Sequence, residues 1–367
     1  MAMLMLLLPV WAALAALACG AAVQQQQQGP LSCPAACNCT MSTFHAGSDV
    51  DCRARDLATV PGDLPPDAWL LKMGYNKVQK LSAEMFEKIP GVESINLENN
   101  GISSFHLKTF SGTKKLQMLN LYGNSLSQIP PKAFQNLYRL KFLLLGKNQI
   151  TSLSSDTFHG LKDLSDLDMP LNNLAELQGF LFKHVPSLKI LDLGFNKIHT
   201  ISPQAFVGLH TLDFLNLDGN RLKEVPDGLF QPLQQLEMLV LSNNDIASVA
   251  AATFVGLQGL RQLYLSGNRL ASVPRDAFKH IPKLTHLTLD NNNHLHSLDG
   301  GAISRLRDLS MLYLHGNPWA CDCKLAPLVK WLSRAKVELF PEDSGSCSSP
   351  AALNGTRLDS IASTKLC

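Results

Sequence analysis

The chain has 367 residues, of which 46% are hydrophobic and 17% are charged. Its formal net charge at pH 7 is +2, so the sequence predicts no general attraction to nucleic acid or to acidic membrane surfaces. A chain of this length ordinarily forms two or three globular domains. Internal repeats fill most of it without room for a linker, which favours one continuous body.

The N-terminal segment is typical of a secreted protein. Residues 1–22 are apolar and rich in Leu and Ala, and they end in the small residues Gly20, Ala21 and Ala22. This pattern predicts a secretory signal peptide, with a membrane anchor as the alternative. A run of glutamines follows, and residues 23–32 are predicted to be a disordered polar N-terminus.

Eight of the nine cysteines lie beyond the predicted signal peptide, which contains Cys19. They form two groups that flank the repeats: Cys33, Cys37, Cys39 and Cys52, and then Cys321, Cys323, Cys347 and Cys367. The C-x-C spacings and the predicted secretion favour disulfides, with a zinc site as the alternative. The sequence alone allows three pairings in each group.

Two columns of residues recur every 24 positions between the cysteine groups. Asparagine occupies the first column, whose last step is 25 residues: Asn76, Asn100, Asn124, Asn148, Asn172, Asn196, Asn220, Asn244, Asn268, Asn292 and Asn317. Phenylalanine occupies the second, with Ile303 in the last place: Phe86, Phe110, Phe134, Phe158, Phe182, Phe206, Phe230, Phe254 and Phe278. Self-similarity at this period indicates a stacked solenoid, and we assign eleven repeats to residues 68–316.

One repeat, residues 116–140, shows how each coil folds. Leu116, Leu119 and Leu121 alternate with free positions, which predicts a short strand with one buried face. Asn124 follows at the turn, where a buried amide can donate to and accept from the backbone of the neighbouring coil. The phenylalanine of the second column then fills the coil from its outer side. Since one coil cannot bury its own apolar face, the coils must stack and the ends need lids.

The motif L-x-x-L-x-L-x-x-N-x-L resembles that of the extracellular class of leucine-rich repeat proteins, and the likeness covers most of the chain. It implies an α/β solenoid: a right-handed horseshoe with a concave parallel β-sheet, an irregular convex side and disulfide-bonded caps. We place the N-terminal cap at residues 33–67 and the C-terminal cap at residues 317–367. The resemblance implies four disulfides: Cys33–Cys39, Cys37–Cys52, Cys321–Cys347 and Cys323–Cys367.

The C-terminal cap contains a predicted helix. Apolar residues at helical spacing predict a short amphipathic helix across the last coil: Leu325, Leu328, Val329 and Leu332. Trp319 and Trp331 are predicted to seal the apolar end. The cap ends at Cys367 without a transmembrane run or lipid signal, so we expect a soluble, secreted protein. One Asn-x-Ser/Thr glycosylation sequon lies in each cap, at Asn38 and at Asn354.

Strand periodicity identifies the side chains on the concave face. In each repeat the residues six, four and two places before the ladder asparagine point away from the core. The predicted protein-binding residues occupy these places: Met118, Tyr122, Phe142, Leu144, Asp166, Asp168, Ile190, Asp192, Phe214, Asp218, Met238, Val240 and Tyr264. Exposed apolar patches usually mark interaction sites, and the accompanying carboxylates favour a protein partner with a basic surface. The alternative is that these positions are simply solvated.

Catalysis has little support in the sequence. Asp168 and Asp192 occupy equivalent places in adjacent repeats, where paired carboxyls can raise one pKa. An open sheet lacks the pocket that acid–base chemistry needs, so solvated acids or a weak cation site is the better interpretation. Histidines in the outer segments are paired with no Ser or Cys nucleophile: His159, His184, His199, His210 and His280. We predict no catalytic, cofactor-binding or metal-binding residues.

The sequence therefore predicts a secreted, extracellular protein that binds a protein ligand on its concave face. It predicts no nucleic-acid partner, no membrane anchor and no cofactor. The plan also resembles secreted family members of plasma and matrix, including the non-catalytic subunit of a carboxypeptidase, and the antigen-binding repeat receptors of jawless vertebrates. These resemblances imply the alternatives: a regulatory or carrier subunit of an extracellular enzyme, or a matrix or immune recognition protein. The oligomeric state is left open.

Overall fold

One short strand from every coil lines the inner side of the molecule. The computed structural model describes residues 33–335, 337–341 and 345–367, so the predicted signal peptide and polar N-terminus lie outside the described residues. Eleven repeat strands follow in chain order: Ala68–Lys72, Ser94–Asn96, Met118–Asn120, Phe142–Leu144, Asp166–Asp168, Ile190–Asp192, Phe214–Asn216, Met238–Val240, Gln262–Tyr264, His286–Thr288 and Met311–Tyr313. Each pairs in parallel with the next, so equivalent residues of neighbouring coils lie side by side.

The caps extend this sheet to fourteen strands. At the N-terminal end, strand Asn38–Met41 is antiparallel to Ser48–Asp51, which runs parallel to the first repeat strand. At the C-terminal end, Glu338–Phe340 runs parallel to the last repeat strand. The predicted fold class is confirmed: the chain is a leucine-rich repeat horseshoe of stacked coils with a parallel sheet inside.

The outer side has little regular structure. Short strands pair there between coils: Lys80–Leu81 with Ser104–Phe105, Glu176–Leu177 with Thr200–Ile201, and Ser272–Val273 with Ser297–Leu298. One turn of helix spans Gly300–Ile303. The C-terminal cap adds a strand pair and two 3-10 turns: Trp319–Ala320 with Cys347–Ser349, then Ala351–Leu353 and Ser363–Lys365. The inner sheet is therefore the regular surface of the molecule, on which side chains can be held in fixed geometry.

The ladder asparagines tie each coil to the one before it. The Asn148 amide donates to Leu145 O of its own coil and to Leu121 O of the preceding coil, both at 3.0 Å. Its Oδ1 accepts from Leu126 N at 3.0 Å. Donation to both coils recurs from the first ladder residue to the last, so the predicted ladder is confirmed. These bonds satisfy backbone groups that the turns would otherwise leave unpaired in the core.

The phenylalanine column forms an aromatic spine on the outer side of the core. Its phenylalanines and Ile303 are at most 1% exposed. The ring of Phe182 lies 5.8 Å from that of Phe158 and 6.1 Å from that of Phe206, centroid to centroid. Contacts at this distance stabilise the fold beyond the burial of apolar area. Spine and strand leucines together make one continuous core along the solenoid.

Disulfides close both ends of the core, and a short helix covers the C-terminal end. The four bonds are the ones that the resemblance implies: Cys33–Cys39, Cys37–Cys52, Cys321–Cys347 and Cys323–Cys367. The predicted helix spans Ala326–Leu332 and buries Leu328 and Val329. Trp319 is fully buried, and its Nε1 donates to Leu314 O at 2.9 Å. Within the described part of the chain, no helix combines the length and the apolarity needed to cross a membrane.

Candidate protein-binding face

Apolar side chains lie partly exposed on the concave face. The in-register pairing sets Met118 beside Phe142, and Phe214 beside Met238. All four side chains are partly exposed, while the central leucine of each of their strands is fully buried. Ile190, the neighbour of Phe214, is 37% exposed. The remaining predicted residues of this kind are also partly exposed: Tyr122, Leu144, Val240 and Tyr264.

An acidic strand divides this apolar surface. The first carboxylate of strand Asp166–Asp168 lies between Phe142 and Ile190 in the sheet register. The second lies between Leu144 and Asp192. Asp166 therefore has apolar neighbours on both sides, whereas Asp168 has an apolar neighbour on one side and a second carboxylate on the other. Binding hot spots combine charge with apolar contact in this way.

Asp168 sits in a niche where part of its carboxylate lacks a partner. Its Oδ1 is buried, and among the described residues no group donates a hydrogen bond to it. Gly146 makes room for the niche: a Cβ there would lie 2.8 Å from Asp168 Oδ1, 3.0 Å from Tyr122 Cδ2 and 3.1 Å from Pro170 Cδ. Burial, and then the negative charge of Asp192, raises the pKa of Asp168 to about 7. An unpaired buried oxygen lowers stability, and a cation placed beside it would remove that penalty.

Asp192 is more deeply buried than its strand position predicts. Only 8% of the residue is exposed, so the expectation that it faces solvent is corrected. Its Oδ1 accepts from Gly194 N at 2.8 Å and from Asn216 Nδ2 at 2.9 Å. Burial raises the pKa of Asp192, and these two hydrogen bonds oppose the increase. Asp192 therefore influences the face mainly through its charge on the neighbouring Asp168.

Hydrogen bonds between coils hold other acidic residues of the face. Asp218 Oδ1 accepts from Asn243 Nδ2 at 2.8 Å, and burial raises the pKa of Asp218. Asp290, which is 7% exposed, accepts from Ser266 Oγ at 2.6 Å. Because part of the acidic charge is covered or engaged, the face is less negative than a count of carboxylates predicts.

A column that strand periodicity did not single out borders the apolar surface. The residue before each ladder asparagine has a positive φ: Tyr75, Asn99, Gly123, Lys147, Leu171, Phe195, Gly219, Asn243, Gly267, Asn291 and Gly316. Gly and Asn tolerate this conformation, and they fill most of the places. Leu171 and Phe195 do not suit it, yet they are 47% and 49% exposed. Tyr75 is exposed in the same column, and three bulky residues in a column filled mostly by Gly and Asn are a sequence signal that could have extended the predicted face.

The outer side holds a different cluster of polar residues. The structure brings together Asp156, His159 and His184, whose ligand atoms all lie within 4.8 Å of one another. The sequence predicts no metal-binding residues, because the two histidines lie in different repeats and are not close along the chain. Stacking of the coils places them side by side.

The two glycosylation sequons are accessible. Asn38 begins the first cap strand and Asn354 follows the 3-10 turn Ala351–Leu353, and both residues are exposed. Exposure is what modification of a sequon requires. Glycans at both positions stay a prediction, and they would leave the repeats between the caps uncovered.

Curated relatives match short parts of the chain. Leucine-rich repeats and immunoglobulin-like domains protein 1 of Homo sapiens is 38% identical over 72 residues, which is 20% of this chain and 6% of the relative. Leucine-rich repeat-containing protein 3 of Mus musculus is 35% identical over 82 residues, 22% of this chain and 31% of the relative. Leucine-rich repeat-containing protein 3B of Homo sapiens is 33% identical over 95 residues, 26% of this chain and 36% of the relative. The chain therefore spans well under half the length of these relatives.

Solved structures and the family's sequence model extend the likeness. One similar structure is a chain of the octameric complex of Latrophilin 3, Unc5D and FLRT2, in which FLRT2 is the leucine-rich repeat component. The TM-score is 0.78 at 25% sequence identity, and the match covers 90% of this chain and 98% of the chain in the complex. A chain of the Toll–Spätzle complex of Drosophila is also similar, with a TM-score of 0.61 at 21% sequence identity. The match covers 81% of this chain and 48% of the Drosophila complex chain, and it supports a common fold only. The family described as "Leucine rich repeat" matches residues 70–126, 121–174, 170–222, 212–270 and 265–318. Since these matches cover more than half of the chain, it belongs to the leucine-rich repeat family.

Proposed function

We propose that this protein is secreted and binds a protein ligand through its concave face. One observation carries the proposal: partly exposed apolar side chains flank a strand whose Asp168 has a buried, unpaired oxygen. Neither feature helps the isolated protein, because exposed apolar surface and unpaired buried oxygens both lower its stability in water. Both become favourable when a partner covers the face.

The partner's contact surface carries Arg or Lys beside apolar side chains. A guanidinium or ammonium group placed at Asp168 supplies the missing hydrogen bond and offsets the charges of Asp168 and Asp192. Met118 and Phe142 lie on one side of this contact, and Phe214 lies on the other with Ile190. The solved FLRT2 complex, which is similar over most of this chain, contains Unc5D and Latrophilin 3, and this supports a protein as the ligand.

Disulfides in both caps support an extracellular location, because bonds of this kind persist in oxidising compartments. The apolar N-terminal segment supports entry into the secretory pathway. The likeness to secreted plasma and matrix members of the family belongs to this proposal as well. A carrier for an extracellular enzyme and a matrix or immune recognition protein use the same face, and the identity of the captured partner separates them.

Affinity capture from extracellular fluid tests the proposed face. The test variant combines Asp168→Asn, Asp192→Asn, Phe142→Ser and Phe214→Ser. The matched control changes two exposed aromatic residues away from the concave sheet, Tyr138→Ser and Phe180→Ser. Thermal unfolding of all three proteins checks that they fold.

We expect the native chain and the control to capture the same protein, and the test variant to lose it. Recovery of that protein by the test variant, with loss in the control, would place the binding surface on the outer side. A captured peptidase would identify an enzyme carrier. Capture of collagenous matrix components would identify a structural role.

A further inference from the structure

We propose that Asp156, His159 and His184 form a binding site for a divalent transition-metal ion of the zinc type on the convex side. The site is independent of the concave face. It joins two adjacent coils, since Asp156 and His159 lie in one repeat and His184 lies in the next.

The donor atoms are already close to one another. His184 Nε2 lies 3.8 Å from Asp156 Oδ1, and all three donor atoms lie within 4.8 Å of one another. In a tetrahedral zinc site with metal–ligand distances near 2.0–2.1 Å, the donors are roughly 3.3 Å apart. Small side-chain rotations are therefore enough to close the site, and partial exposure leaves the three side chains free to make them.

The backbone under the site is held firmly. His159 N donates to Asp156 O at 3.2 Å, so these two residues share one tight turn. His159 follows Phe158 of the aromatic spine, and His184 lies two residues after Phe182, whose ring is stacked on that of Phe158. The spine thus sets the distance between the ligands of the two coils. A ligand set on rigid supports loses little entropy when it binds a metal.

The two imidazoles lie close together, and one of them has an unpaired nitrogen. His159 Nδ1 is buried and, within the described residues, has no hydrogen-bond partner. The two rings make an edge-on contact with centroids 4.7 Å apart, so the imidazoles of the two coils already lie side by side. Neutral imidazole is the form that binds a metal ion.

The chemistry of the donors selects the class of ion. Two imidazoles and one carboxylate suit zinc, copper and nickel, whereas calcium and magnesium prefer oxygen ligands. Three protein ligands leave a fourth position open for water or for a ligand from another molecule. Lys132 Nζ lies 3.6 Å from Asp156 Oδ2, the oxygen that does not approach His184. Its positive charge opposes a metal cation, so the native site is weaker than the same site without Lys132.

Titration of the secreted, disulfide-bonded chain without a histidine tag tests the proposal. The probe is zinc chloride, followed by isothermal calorimetry, with calcium chloride as the comparison. The site variant is His159→Asn with His184→Asn. The matched control is His294→Asn with His296→Asn, which removes a pair of exposed histidines from a later part of the chain. Cobalt substitution adds a spectroscopic readout, since a tetrahedral site gives visible absorption bands.

We expect one zinc ion to bind the native chain and the control, calcium not to compete, and the site variant to bind zinc at least about tenfold more weakly. Lys132→Met should tighten binding several-fold, an effect that a purely structural role of the cluster does not predict. Zinc should also raise the thermal unfolding midpoint of the native chain and not that of the site variant. Equal zinc affinity in the native chain and the site variant would overturn the proposal. Loss of binding in the control alone would place the metal at His294 and His296.

Discussion

The core side and the concave side of each coil follow different rules. The face toward the core repeats with little change: leucine in the strand, asparagine at the turn and phenylalanine in the spine, all paired or buried. The concave face changes from coil to coil and keeps features that lower stability, such as the unpaired oxygen of Asp168 and the positive φ of Leu171 and Phe195. Repetition thus builds the scaffold. Departures from the repeat lie on the face that we propose as the binding site.

Phe182→Ala should show the largest difference in stability between the core side and the concave side. The ring is fully buried between two spine neighbours, so its loss leaves a cavity and should lower the free energy of unfolding by about 3–5 kcal/mol. Phe214→Ala removes the same atoms from the concave face and should lower it by less than about 1 kcal/mol. Urea unfolding followed by circular dichroism measures both. Equal losses would mean that Phe214 is part of the core.

Asn148→Ala should have the next largest effect. The change leaves Leu121 O and Leu145 O without the amide and Leu126 N without its acceptor, all inside the solenoid. We expect a loss of about 2–3 kcal/mol in the free energy of unfolding, because unsatisfied buried groups carry their full desolvation penalty. Asn293→Ala makes the same chemical change at an exposed position and should stay within about 0.5 kcal/mol of the native value. A ladder variant as stable as this control would contradict the role given to the amides.

The scaffold could be predicted from the sequence because the same residue types recur at the same places in every repeat. The ladder, the spine and the strand register follow from residue spacing alone. The niche of Asp168 was out of reach, because Tyr122, Gly146 and Pro170, which surround it, come from three coils. The burial of Asp192 depends on Asn216, and the outer histidine cluster depends on stacking. Contacts made by residues that change from coil to coil are not periodic, so periodicity does not predict them.

Asp168→Asn should stabilise the protein, but only at higher pH. Because the pKa of Asp168 is about 7 in the folded chain and 3.8 in the reference state, the folded protein binds more protons between these values. Its free energy of unfolding therefore falls as pH rises through that window. The substitution removes the buried charge and should add about 1–2 kcal/mol at pH 8 and little at pH 4. Urea unfolding at both pH values measures the difference.

Asp51→Asn is the control, because it should change the free energy of unfolding in the opposite direction. A hydrogen bond from Arg53 lowers the pKa of Asp51, so Asp51 stabilises the fold at neutral pH and loses that contribution as pH falls. Its substitution should cost less than about 1 kcal/mol at pH 8, because the pair is partly exposed. If Asp168→Asn also lowered stability at pH 8, the charge of Asp168 would have a partner inside the protein and would not be held for a ligand.

Leu171→Asn should have the smallest effect on the free energy of unfolding, and the direction of the change is informative. Asparagine suits the positive φ at this place, as it does at the equivalent Asn243 and Asn291, so we expect a gain of about 0.5–1 kcal/mol in unfolding free energy. Ile190→Asn removes a similar exposed apolar side chain from a regular strand and should lower stability slightly, since asparagine is a poor strand former. Chemical unfolding of both variants, together with capture of the protein partner, decides what Leu171 does. If stability rises in the Leu171 variant while capture weakens, the residue is kept for contact; if stability falls, its packing supports the turn and the strained column is part of the scaffold.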